Sequence, residues 1–162
     1  MSIVKNKIST LLLILTVIAS HGSLAQEEEN AVYTIYFQSE TSIMMETSKK
    51  IVEDLWQMMD ENPTAYVRLH GHTNGKPSGS YTRLGVHDTI FFKKANFHEL
   101  TSGSAKTLSY DRALTVKQYL VWKGIAADRI KVKGWGGKKQ LYGENSRVAQ
   151  KNRRVEVEVL EE

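Results

Sequence analysis

Arg112, Asn152, Arg153 and Arg154 are the residues whose types and placing most plainly suggest chemistry. Arg112 falls near the start of a predicted helix, where unpaired backbone N–H groups and the helix dipole already favour an anion. A guanidinium there adds a two-pronged clamp for a carboxylate. Asn152-Arg153-Arg154 brings further fixed donors to the edge of a predicted strand. The plainer reading of these arginines is solvation, or surface pairing with Glu46, Glu53 or Asp111. His70 and His72 lie two apart on a predicted strand and so face the same way, as metal ligands do. A third ligand would have to come from His87 or His98, and nothing in the sequence fixes either. Gly134-Trp-Gly-Gly-Lys-Lys139 has the glycines of a phosphate loop but not its spacing, its Ser/Thr or a following helix. The chain has no Gly-x-Ser-x-Gly elbow and no carboxylate pair at a fixed separation. These residues leave an enzyme possible but unsupported, and no metal site or cofactor is expected.

The elements that must position these residues follow from apolar spacing. Residues 31–37 are dense in β-branched and aromatic side chains and predict a strand. Ser39, Thr41 and Ser42 offer N-caps for a helix from Ile43 to about Glu61. Met44, Ile51, Val52, Leu55, Met58 and Met59 share one face of it, read as core, and Asn62-Pro63 stops it. A second strand, 65–70, runs into Gly71-His72-Thr73-Asn74-Gly75. The stretch 76–106 then reads as a long inserted loop with an apolar triplet, Ile90-Phe91-Phe92. A helix over 107–123 turns Leu108, Val116 and Leu120 inward and ends at Gly124. Residues 129–134 predict a strand, and 138–152 are polar and irregular with one helical turn near Val148. In 154–160, Val155, Val157 and Val159 alternate with Glu156 and Glu158, a strand with one wet face. The order β-α-β-α-β-β predicts an α/β (α+β) two-layer sandwich, a mixed sheet with two helices on one face.

The chain has 162 residues, 41% hydrophobic and 25% charged, which fits one globular domain and excludes wholesale disorder. The absence of Cys excludes disulfide scaffolds, thiolate zinc sites and lipidation on an amino-terminal cysteine. Residues 1–25 read as a cleaved signal peptide: Lys5 and Lys7, an apolar run from Ile8 to Ala19, then Ser23-Leu24-Ala25 before a cut at Gln26. That run is short of the roughly 20 residues that span a bilayer, and no second such stretch follows. Residues 26–31 are an acidic leader. Removing Lys5 and Lys7 lowers the formal charge from +4 to about +2, too little to imply a nucleic-acid partner. The mature chain is expected to be exported and to lack a membrane span.

Several blocks then occur in a telling order: Tyr36-Phe37, Val67 to Thr73 with its Gly-His-Thr, and Leu108-Ser109-x-x-Arg112-Ala113. Gly124-Ile125, Gly134-Trp-Gly136 and Asn152-Arg153-Arg154-Val155 complete the series. Together they resemble the OmpA-like carboxy-terminal domain, the peptidoglycan-binding module of outer-membrane proteins, Pal lipoproteins and flagellar stators. The resemblance covers about 32–160, hence a domain of 32–162 with an inserted loop at about 76–105. It implies a non-enzymatic clamp for the diaminopimelate-bearing stem peptide, in the periplasm, tethering an envelope protein partner to the wall. In the family the acid ending Gly-His-Thr-Asp holds the ligand's ammonium, and the arginine of Leu-Ser-x-x-Arg-Ala holds its carboxylate. Carried over, the arginine is Arg112, and Asn152, Arg153 and Arg154 match. The acid falls on Asn74, a departure, and an asparagine often found before Leu-Ser falls on Ala105, a second. Glu40, Thr73 and Leu108 complete the expected ligand-binding set. An amide at 74 forfeits a charge-assisted bond worth about 1.5–3 kcal/mol against roughly 1 for a neutral one, so affinity falls about ten-fold unless another acid compensates. The alternative is a degenerate module that docks an envelope, motility or secretion complex through 76–105.

Overall fold

The computed structural model describes residues 33–75 and 78–160. The expected signal segment, 1–25, and leader, 26–31, lie outside the described residues.

A four-stranded sheet forms from β1 (Tyr33–Tyr36), β2 (Tyr66–Gly71), β5 (Ile130–Gly134) and β6 (Arg154–Leu160), in the order β1-β6-β2-β5. β6 runs antiparallel to both its neighbours, while β2 and β5 are parallel, so the sheet is mixed as expected. α1 (Lys49–Glu61) and α2 (Ala105–Trp122) cover one face. Val52, Leu55 and Met59 of α1 meet Ala113, Val116 and Leu120 of α2 over Ile35, Val67, Leu69, Val155 and Val157. Period-two alternation in β2 and β6 puts Val67, Leu69, Val155 and Val157 inward and Arg68, Glu156 and Glu158 on the other face, while Val159 near the strand end is exposed.

The first helix starts later than the apolar spacing suggested. A single 3-10 turn, Glu46–Ser48, precedes α1, and Met44 lies before it in a bridge to Phe37. Ser39, Thr41 and Ser42 cap nothing. Thr41 Oγ1 instead accepts from the N–H of Ile43 at 3.0 Å, and Ser42 Oγ from the N–H of Leu84 at 3.0 Å. These hydroxyls fold the loop after β1 because a side-chain acceptor satisfies a local N–H as readily in a turn as at a helix end. Ser104 is a true N-cap, accepting from the N–H of Thr107, and Gly124 takes a left-handed φ of 103° after α2.

The largest correction concerns 76–105. It is not a bare loop. β3 (Ser78–Arg83) and β4 (Glu99–Ser104) form an antiparallel hairpin, with 84–98 as its long connection. β3 is bound to the loop after β1: the N–H of Thr82 donates to Glu40 O, and the N–H of Ser42 to Thr82 O. Tyr81 donates to Asp111 on α2, and Leu84 and Phe91 join the core. The hairpin thus covers a second flank of α2 and buries Asp111 beneath Tyr81, while Ser109 is buried against the glycines at the ends of β2 and β5.

Candidate functional site

Gly71 and Gly134 sit side by side in the β2–β5 register. An added Cβ at Gly71 would meet the Ser109 carbonyl oxygen at 1.8 Å, and one at Gly134 would meet Lys106 O at 2.7 Å. The missing side chains let α2 press onto the strand ends, and this close approach sets the position of Arg112.

Arg112 is 1% exposed. Its Nε donates to Thr41 O at 3.0 Å, its Nη1 to His72 O at 2.9 Å and its Nη2 to Gln38 O at 3.5 Å. The guanidinium therefore ties three segments of chain together through neutral carbonyls. No carboxylate among the described residues pairs with it. Burial, and then the neighbouring Arg153 cation, hold its pKa down to about 9, so it is still a cation at neutral pH. Arg153 is half-buried, and its Nε is enclosed without a partner among the described residues. Two guanidinium groups thus sit close together with no counter-ion, an arrangement that favours an incoming anion.

Asn152 is fully buried and organises the rim. Its Oδ1 accepts from the N–H groups of Leu141 and Tyr142 at 2.9 and 3.0 Å. Its Nδ2 donates to Asn74 Oδ1 at 2.9 Å and to Tyr142 O at 2.6 Å. Asn74 in turn donates to Glu144 O at 3.2 Å. Thr73 is buried and spends its hydroxyl on Gly75 O.

The remaining expected residues lie elsewhere. Arg154 projects to the opposite face of the sheet, because neighbours along a strand alternate, and its Nε donates to Glu156 at 2.7 Å. The structure does not bring it to Arg112 and Arg153. Glu40 and Leu108 line a separate cleft of about 130 Å³, together with Tyr81, Gly103 and Ser104, between the hairpin and the start of α2. Among the described residues no cluster of His, Asp or Glu is arranged to hold a metal.

One acidic residue emerges that motif reading missed. The Glu144 carboxylate folds over Gly75, where an added Cβ would meet it at 2.5 Å. It is exposed and forms no ion pair among the described residues. The sequence does hold a signal for it, since Glu144 is the single acid between Gly134 and Arg153.

Residues 36–154 match the model of the OmpA family. The chain belongs to the OmpA family. Solved structures share the fold of this OmpA-family chain. The peptidoglycan-associated lipoprotein from Burkholderia pseudomallei is 14% identical, with a TM-score of 0.57 over 79% of this chain and 90% of its own. The C-terminal domain of Helicobacter pylori MotB is 17% identical, with a TM-score of 0.56 over 81% and 86%. The OmpA-like domain of FopA1 from Francisella tularensis is 19% identical, with a TM-score of 0.53 over 78% and 69%. No curated protein matches the chain.

Proposed function

We propose that this OmpA-family domain binds the peptide stems of peptidoglycan in the periplasm, without catalysis, and so fastens an envelope partner to the wall. The carrying observation is the paired Arg112 and Arg153 guanidinium groups without a carboxylate partner. A buried and a half-buried cation offer a seat for a stem-peptide carboxylate, such as that of diaminopimelate. Glu144, held beside Asn74 on the rim, supplies the negative charge that the amide at 74 lacks for the ligand's ammonium. A neighbour of the same fold is a peptidoglycan-associated lipoprotein, which supports the wall as the ligand.

Arg112→Ala removes a cross-brace and risks unfolding, so the test uses the outer members of the set. Retention of the full chain on purified sacculi is measured for wild type, Arg153→Gln and Glu144→Gln. Each variant removes one charge-assisted bond, about 1.5–3 kcal/mol, and should weaken retention about ten-fold or more. Asn74→Asp in the Glu144→Gln background should restore much of it. If wild type is not retained, the wall reading fails. Wild-type binding with both variants unchanged would move the site elsewhere.

One observation favours the alternative of a protein-docking module. The Arg112 head is already capped by carbonyls, while Val86, Phe97 and Leu100 around the hairpin are 76%, 57% and 77% exposed. On that reading, Phe97→Ser with Leu100→Ser abolishes recovery of a cross-linked envelope partner and leaves sacculus retention intact.

A further inference from the structure

The sheet face turned away from the helices carries an arrangement of charge that the wall site does not use. Arg68 of β2 stands directly opposite Lys131 of β5, and Lys133 lies beside the His70 ring. A like-charge pair across strands, such as Arg68 and Lys131, is destabilising. The acids nearby are already engaged. Glu158 accepts from Arg68 Nη1 and pairs with His70 Nε2, both at 2.8 Å, and Glu156 is held by Arg154 with His72 at 3.3 Å. Lys131, Lys133 and Lys139 are exposed and have no carboxylate partner among the described residues.

Trp135 gathers two of these lysines. The Lys133 ammonium stands 3.8 Å and the Lys139 ammonium 4.1 Å from the centre of its ring. The indole N–H donates to His70 Nδ1 at 2.9 Å, which leaves His70 Nε2 as the donor to Glu158. The chain Trp135–His70–Glu158–Arg68 therefore fixes the ring, which stacks on His70 with centroids 6.1 Å apart, and cation–π attraction holds two ammonium groups over it. The result is a preformed, shallow patch of excess positive charge centred on an amphipathic ring.

We propose that this face docks on a membrane surface rich in anionic phosphate headgroups. Lysine stems with charged tips and a half-buried tryptophan suit the headgroup layer, where aromatic rings and cations are both favoured. A face of open sheet meets a planar surface over several strands at once, whereas a small ligand would need a concavity. The proposal does not depend on the wall reading, because its residues lie on the other side of the sheet from Arg112 and Arg153.

The experiment measures sedimentation of the full chain with vesicles of phosphatidylcholine alone and with added phosphatidylglycerol, at low and high salt. Wild type should partition onto the anionic vesicles only, and less at high salt. Lys131→Gln with Lys133→Gln should lower the partition coefficient about five-fold per lysine. Lys93→Gln with Lys94→Gln, an equal loss of net charge on the hairpin connection, should change it little. Equal binding to both vesicle types, an unaffected patch variant, or a control that loses as much would each overturn the proposal. So would capture by soluble polyphosphate without vesicle binding, which would assign the patch to a dissolved anion.

Discussion

Replacing Gly71 by alanine tests the claim that two glycines let α2 seat the site. The new Cβ would lie 1.8 Å from the Ser109 carbonyl oxygen, a backbone atom in mid-helix that cannot rotate away. An ordinary contact needs roughly 3.4 Å, so strand and helix must separate by about 1.5 Å. Overpacking of this kind costs about 1–3 kcal/mol. The same separation stretches two bonds past their useful length: Arg112 Nη1 to His72 O, now 2.9 Å, and the Gly136 N–H to Ser109 Oγ, now 2.9 Å. The first involves a charged donor and is worth about 1.5–3 kcal/mol. The expected loss is about 3–5 kcal/mol, a large share of the 5–15 kcal/mol that holds an ordinary domain together. Urea unfolding gives the measure, with Gly143→Ala as the control, since a Cβ there meets nothing within 4 Å. That control should be neutral or slightly stabilising. A Gly71→Ala loss below about 1 kcal/mol at unchanged m-value would refute the close approach and the account of Arg112 built on it.

Two further perturbations probe the polar clusters. Burial pushes the Glu156 carboxyl up, but His72 and the Arg154 guanidinium outweigh it and bring the pKa down to about 2; burial holds His72 below the usual imidazole range. Both shifts have the same sign of consequence. The unfolded chain takes up protons first, on His72 below about pH 6.5 and on Glu156 below about 4.5, so stability should decline from pH 7 to 5 and further toward 2. The carboxylate alone contributes roughly 3 kcal/mol over that window; urea midpoints that stay level or rise on acidification would contradict it. Tyr81→Phe leaves the buried Asp111 carboxylate without its hydroxyl donor and should cost about 1.5–3 kcal/mol. The readout is faster hydrogen exchange and proteolysis within 84–98, and unchanged protection would mean that the hairpin is held by its other bonds alone.

The sheet and helices were legible because their patterns are local: Val155, Val157 and Val159 against Glu156 and Glu158, and the spacing of Val52, Leu55 and Met59. The hairpin was not. Its strands are Ser-Gly-Ser-Tyr-Thr-Arg and Glu-Leu-Thr-Ser-Gly-Ser, with few apolar residues and no two-residue turn. They hold shape by pairing with each other and with Glu40 and Ser42, contacts that no local window contains. Arg112 was found by motif, but the three carbonyls that surround it come from distant segments. Arg154 was grouped with Arg153 by adjacency in sequence, and strand alternation separates them. Glu144 was passed over because it lies in no regular element, and only the Asn152 network brings it to the rim.

The pairing of Ser78 with Ser104 at the base of the hairpin also bears on how the chain reaches its parallel strands. Parallel β2 and β5 can meet only after everything between Gly71 and Ile130 has been looped out. Because the inserted segment returns to the point it left, closing it first removes roughly half of that length from the loop. The entropic relief is only about 0.6 kcal/mol, but it has the sign that lets the insertion persist. An excursion that starts and finishes at one spot is nearly invisible to the ring it interrupts. Its tip can therefore change in length and composition while the parallel strands still find each other.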